Sequence, residues 1–179
     1  MSSKPWLASL KQTLSQLQPA DRLPRVAVIG IGSELNGDDF AGIALARELG
    51  RRVDGQSHLL VVDAGPAPEN TSGLLRRFGP DLVLLVDAAQ MDDPPGSARW
   101  LDWQDTAGLS ASTHTLPLHL FAGYLTAELG CHVVLIGIQP THNGVGEALS
   151  PAVKQAVQDI ALDLSSALIQ TPGDPATQI

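Results

Sequence analysis

The chain predicts an α/β domain, a three-layer α/β/α sandwich built on a mostly parallel twisted sheet of about five strands. Three observations lead there. The apolar runs at 25–31, 81–86 and 132–138 lack the alternation of a half-exposed strand, as expected of strands covered on both faces. Segments with helical spacing separate the strand-like runs, as β-α-β connections require. Glycine or proline stands at most of the junctions between them, where the chain must turn.

Taken in order, residues 5–17 place Leu7, Leu10, Leu14 and Leu17 at spacings of three and four. That spacing predicts an amphipathic helix packed on the domain or on a partner. Pro19 and Pro24 end it. Strand 25–31 leads to helix 39–49, with Gly50 expected just past its end. Strand 58–62, loop 63–70 and helix 71–78 follow. Strand 81–86 runs through a proline-rich loop at 92–96 into a short strand at 98–103. Helix 116–129 stops at Gly130, and strand 132–138 leads into Gln139-Pro140. Ser150 and Pro151 form an N-cap and first-turn signal for the last helix. Its apolar stripe is Val153, Val157, Ile160, Leu164 and Leu168. The expected organisation is a helical extension at 1–24, one domain at 25–170 and a flexible tail at 171–179.

Composition narrows the function. With 44% hydrophobic and 17% charged residues, the chain folds and is not a disordered linker. A net charge of −8 opposes nucleic-acid binding, which needs a basic footprint. Cys131 is the single cysteine, so no intramolecular disulfide forms, and its place in an apolar run predicts a buried structural thiol. No apolar stretch suits a signal peptide or a membrane span. A cytoplasmic protein without membrane insertion is expected.

Three residues stand where strand-like runs end or a helix opens: Asp39, Asp87 and His114. In an open parallel sheet, ligands bind outside the carboxyl ends of the strands. Two carboxylates and an imidazole there suit a divalent metal ion with open positions. Asp38 is expected to cap the helix that follows it. His142, in the loop after the last strand, is a reserve ligand; His119 is expected to pack or face solvent. His58 and His132 fall at strand starts, away from the site. Gly30-Ile31-Gly32 invites a dinucleotide reading, and Asp63 ends the second strand where a ribose-binding acid would sit. However, the third glycine position is Leu35, and Asp38 and Asp39 would repel a pyrophosphate at the helix start. No P-loop and no Ser-His-Asp or Cys-His arrangement occurs, so covalent catalysis is disfavoured.

At these residues the chain resembles the hydrogenase maturation endopeptidases, which process the large subunit of [NiFe]-hydrogenases. The resemblance runs from about residue 25 to about residue 168. It rests on Gly37-Asp38-Asp39 with Gly42, on Asp63-Ala64-Gly65 with Ala67-Pro68-Glu69-Asn70, and on Asp87-Ala88 at a strand end. Thr113-His114-Thr115-Leu116-Pro117-Leu118 and Gly137-Ile138-Gln139-Pro140 complete it. The chain is most similar to the branch that serves formate-hydrogenlyase-type (hydrogenase 3) enzymes. It departs from the family pattern at Ser33, Phe40 and Ala64.

The resemblance implies a phosphorylase/hydrolase-like sandwich and an endopeptidase, aspartic-type by family naming. It also implies Asp39, Asp87 and His114 as catalytic and metal-contacting residues, and Asp63 and Gly65 as substrate-recognition residues. The metal would be nickel supplied by the substrate, the [NiFe]-hydrogenase large-subunit precursor, whose C-terminal extension is removed; cadmium or another divalent ion would fit the same ligands. A nucleotide-binding or nucleoside-processing enzyme and a non-cleaving binding module for the metal-loaded precursor are the alternatives.

Overall fold

The computed structural model describes residues 4–106 and 116–169. Its elements are α1 (Pro5–Gln16), β1 (Val26–Ile31), α2 (Ala41–Arg52), β2 (Leu59–Gly65), α3 (Ser72–Phe78), β3 (Leu82–Ala88), β4 (Ala98–Asp102), α4 (Leu118–Leu129), β5 (His132–Ile138) and α5 (Pro151–Leu168). The strand order is β2-β1-β3-β5-β4. All neighbours are parallel except β4, which runs antiparallel to β5. This is the expected mixed sandwich.

Each strand splits its apolar residues between two cores, as the two-residue period of a strand dictates. Val26, Val28, Leu82, Leu84, Val86, Val134 and Ile136 pack under α1, α2 and α5. Ala27, Ile29, Val83, Leu85, Val133 and Leu135 face α3 and α4. The buried side of α1 carries Trp6, Leu10 and Leu14 into the first core, and α1 lies along β4 and α5. Its Lys4 Nζ also donates to Asp163 of α5 at 2.5 Å.

Boundaries moved where side-chain pairing or strand pairing outweighs a single-residue signal. α2 runs through Gly50 to Arg52, because Arg51 and Arg52 both pair with Glu48 and their charge suits a helix C-terminus. The reversal falls instead near Gly55, at φ 80°. β2 extends to Gly65, so Asp63 lies within the strand rather than in a loop. A register slip between Gly30 and Ile31 makes Asp63 face Gly30 and Gly65 face Ile31. Gly79 and Gly130 close α3 and α4 in left-handed conformation, as C-terminal glycines do. The expected tail lies outside the described residues.

The chain leaves β1 by α2 to reach β2 on one flank. It then crosses by α3 to β3 on the other. The crevice at the carboxyl ends of β1 and β3 is therefore the switch point of the sheet. α2 approaches it unusually closely. A Cβ on Gly42 would lie 2.2 Å from the Val86 carbonyl and 2.4 Å from that of Ile31, and one on Gly30 would lie 2.3 Å from the Gly42 carbonyl. Only glycine permits this contact, and it sets the 3-10 turn Gly37–Phe40 directly above β3.

Asp38 secures that turn from below, and its role differs from the one expected. It makes no cap to the helix that follows. Its fully buried carboxylate accepts hydrogen bonds from the Thr141 N–H at 2.7 Å and the His142 N–H at 3.2 Å. It also accepts from the Ser150 N–H at 2.7 Å and the Ser150 hydroxyl at 2.9 Å. Ser150, the expected cap of α5, thus spends its hydroxyl on Asp38. Burial pushes the Asp38 carboxyl up, but the bonds from Ser150, Thr141 and His142 outweigh it and hold the pKa below the ordinary carboxylate value.

Leu10→Ala, at a fully buried position, should cost about 2–5 kcal/mol in denaturant unfolding, whereas a loosely attached α1 would leave stability unchanged. Asp38→Ala strands several buried donors and should cost about 3–5 kcal/mol at pH 7. Since the folded pKa is depressed, this difference should be complete above the unfolded value of about 4 and shrink as pH falls through the folded one. Urea titrations of both proteins across that range measure it.

Candidate active site

Asp39 and Asp87 both lie at the switch point, on the 3-10 turn and on the strand it packs against. Asp39 belongs to the 3-10 turn and is 3% exposed; Asp87, in the last turn of β3, is 1% exposed. The backbone of Asp39 is held on both sides: its N–H donates to the Asn36 carbonyl at 3.0 Å, and its carbonyl accepts the Ser33 N–H at 3.2 Å. Gly32, at φ 143°, passes so near that a Cβ there would lie 1.8 Å from the Asp39 carbonyl oxygen. Asp87 accepts the Ala88 N–H on Oδ1 at 2.9 Å. Charged groups are seldom buried without a compensating partner or function.

Asp87 is kept in register by the strand beside it. It faces Gly137 of β5, where an added Cβ would lie 3.0 Å from both Ala89 and Met91 side chains. Gln139, buried at the end of β5, accepts the Met91 N–H at 2.7 Å and donates to the Pro140 carbonyl at 3.2 Å. The Gly137-Ile138-Gln139-Pro140 segment thus fixes the loop that follows Asp87. Sequence inspection singled out this segment but not the job of Gln139. Buried glutamine just past an apolar strand was the available signal.

His114 lies outside the described residues. β4 is antiparallel, pairing Ala98 with Ile138 and Asp102 with Val134, so it ends at the rim opposite Asp87. α4 ends at Gly130, directly before the amino end of β5, so its first residue, Leu118, starts at the carboxyl rim. Among the described residues, no three His, Cys, Asp or Glu side chains form a metal-binding group. The two buried carboxylates supply hard oxygen donors, and one imidazole would complete a set suited to a divalent transition ion.

Asp63 and Gly65 come to the same rim, one strand away. Asp63 Oδ2 accepts from Arg47 Nε at 2.8 Å, and its Oδ1 accepts the Gly65 N–H at 3.2 Å. The Gly65 carbonyl accepts the Gly32 N–H at 3.0 Å, which joins this bulged strand end to the loop before Asp39. Arg47 also pairs with Glu34 and lies over the Phe40 ring at 5.4 Å. It was not foreseen, although its charge two helical turns beyond Asp39 was visible.

His142 Nδ1 lies 2.6 Å from Glu147 Oε2, and His58 Nε2 lies 3.1 Å from the Leu168 carbonyl. His132 is exposed at the start of β5, away from the crevice. Cys131 is buried, and burial raises its thiol pKa, the reverse of what a nucleophile needs. Among the described residues no helix is long and apolar enough to cross a membrane.

Comparison with known proteins agrees with this geometry. The family model described as hydrogenase maturation protease matches residues 43–166, a span that includes Asp87 and begins just after Asp39. The chain is 34% identical over 131 residues to the hydrogenase 3 maturation protease of Escherichia coli, covering 73% of this chain and 82% of that one. It is 31% identical over 122 residues to a putative hydrogenase maturation protease of Methanocaldococcus jannaschii, covering 65% and 72%. Among solved structures, it superposes on a [NiFe] hydrogenase maturation protease from Thermococcus kodakarensis with a TM-score of 0.79 at 31% identity. That match covers 90% of this chain and 99% of the other. The chain belongs to the hydrogenase maturation protease family, and it is a peptidase.

Proposed function

We propose that the chain removes the C-terminal extension from the nickel-loaded large-subunit precursor of a [NiFe]-hydrogenase, of the hydrogenase 3 type, and that Asp39, Asp87 and His114 read the substrate's metal. The observation that carries this is the burial of Asp39 and Asp87 together at the switch point of a maturation protease. The names of two similar proteins suggest the substrate class.

In this reading the aspartates and the histidine complete the coordination of nickel already seated in the precursor. The scissile segment is thereby drawn into the crevice, and substrate without metal finds only two buried carboxylates. Hydrolysis adds the oxygen of water to the peptide carbonyl carbon while the C–N bond breaks, and the departing amine takes up a proton. The metal acts as a template and Lewis acid. Asp63 and Gly65 select the precursor at the rim, with Arg47 holding the Asp63 carboxylate in place. The dinucleotide alternative has no support here, since the helix start that would hold a pyrophosphate carries buried Asp38 and Asp39 instead.

The test incubates the full chain with nickel-loaded and nickel-free precursor and follows the C-terminus by mass spectrometry. A discrete peptide should leave only the loaded form. Cleavage of both forms overturns the metal check, and binding of the loaded precursor without cleavage favours the non-cleaving module. Asp39→Asn, Asp87→Asn and His114→Ala should each lower kcat/KM by more than about 100-fold while thermal melts show a folded protein. Full processing by any of the three removes that residue from the site.

A further inference from the structure

β2 stands at one end of the sheet and pairs only with β1. In a parallel ladder, alternate residues of a strand bond to a given neighbour. The Val26 N–H donates to the His58 carbonyl at 3.0 Å, so His58, Leu60 and Val62 bond to β1, whereas the backbone groups of Leu59, Val61 and Asp63 point outward. Leu59 gives its N–H to the Gln56 carbonyl at 3.0 Å. The Leu59 carbonyl and both backbone groups of Val61 and Asp63 have no backbone partner among the described residues. Such edges recruit another strand unless lysine or proline blunts them, and β2 contains neither. A groove of about 550 Å³ runs beside this edge, lined by Arg47, Gly50, Arg51, Asp54, Val61 and Asp63. A second hollow of about 370 Å³ shares Gly50, Asp54 and Val61 and continues to Leu59. Leu59, Val61 and Asp63 therefore line one channel from the start of the strand to the rim. Gly50, on its floor, lies within α2, where glycine is less favourable than alanine. No backbone approaches it, since an added Cβ would meet only the Val61 side chain, at 4.0 Å. Packing does not call for glycine here; its bare backbone keeps the channel open.

We propose that the C-terminal extension of the precursor docks as an added strand on the free edge of β2, with alternate side chains entering the groove over Gly50. This rests on the substrate reading above. An extended main chain is the ligand that satisfies a row of unpaired N–H and C=O groups, and pockets beside the edge select its side chains. The groove ends at Asp63, whose carboxylate Arg47 holds at the rim, so groove and rim form one surface. β2 runs toward that rim. A chain that leaves the scissile bond there and follows β2 runs the opposite way, as an antiparallel partner. From Leu59 to Asp63 the edge spans about 13 Å at about 3.3 Å per residue, room for about five residues of extension. Small or apolar side chains suit the bare floor. A second copy pairing edge to edge about a two-fold axis at Val61 would bring two largely exposed Arg51 side chains into the same groove, and like charges set opposite each other oppose that pairing.

The test compares the wild type, Gly50→Ala and Gly50→Leu. Each processes nickel-loaded precursor carrying either its own extension or one with proline at every second position beyond the residues next to the scissile bond. Thermal melts and sedimentation of the enzyme alone accompany the kinetics. Leucine fills the groove and should raise KM for the native extension about tenfold or more, while Gly50→Ala should stay within about twofold. Both variants should melt at or above the wild-type temperature, because each replaces a glycine inside a helix. Proline cannot donate to the edge, so the proline extension should raise the wild-type KM to a similar extent. Gly50→Leu should then add little to that loss, since both changes remove one contact. A KM unchanged by Gly50→Leu, with the wild type active, overturns the groove alone, as do strictly additive losses. Should Gly50→Leu lower the melting temperature, the wild type decides: an unchanged KM on the proline extension overturns the groove, and a raised one supports it. Self-association of the wild type that Gly50→Leu abolishes would make a second copy the occupant and overturn the proposal. A wild type that neither binds nor cuts the precursor overturns the substrate reading, and the groove with it.

Discussion

The contact between the first turn of α2 and the carboxyl ends of β1 and β3 governs this molecule. Gly30 and Gly42 let the two backbones approach to a separation that any side chain would prevent. The 3-10 turn before α2 is consequently pressed against β3, and Asp39 is buried beside the strand end that carries Asp87. Without that contact the two aspartates would be ordinary residues of a helix start and a strand end, each open to water. With it both are buried at the switch point of the sheet, where the chain connections diverge and leave room for a ligand. The same glycine economy serves nucleotide-binding sheets, where helix and strand also meet closely. Here the helix start carries acids, which would repel the pyrophosphate that those sheets hold.

A second level of structure makes the crevice rigid. Asp38 gathers donors from both ends of the loop between β5 and α5, and Gln139 does the equivalent for the loop after Asp87. Neither residue touches the chemistry in the proposed mechanism. Each converts a surface loop into part of the scaffold, which is how a site on loops keeps the geometry that catalysis requires. Buried polar groups of this kind stabilise only when fully satisfied, and Asp38 meets that condition. Arg47 is the surface counterpart, joining Glu34, Phe40 and Asp63 around the rim. As a solvent-exposed group it contributes alignment more than stability.

Much of the fold was legible because it is written locally. β5 occupies the predicted residues 132–138, and α5 begins at the Ser150-Pro151 signal. The apolar runs gave the parallel strands, and the glycines after α3 and α4 stop those helices as expected. The errors arise where side-chain pairing, local in one case and long-range in another, overrides the signal of a single residue. Gly50 looked like a helix end, yet the Glu48 pairs with Arg51 and Arg52 carry α2 past it. Asp38 looked like a cap for its own helix, but its partners lie more than a hundred residues away. The direction of β4 has no local signature at all, since a short strand reads alike in either sense. For the site, Asp39 and Asp87 were readable as strand-end acids, whereas the bracing by Asp38, Gln139 and Arg47 depends on tertiary pairing that spacing does not encode.

The central claim is that Asp39 and Asp87 act on one metal ion, and calorimetric titration of the full chain with cadmium tests it most directly. Wild type, Asp39→Asn, Asp87→Asn and the double variant are compared. If one ion bridges both carboxylates, each single substitution should weaken binding by about tenfold or more, and the double variant should lose less than the sum of the two. Wild-type affinity in either single variant, or strictly additive losses, would contradict the account.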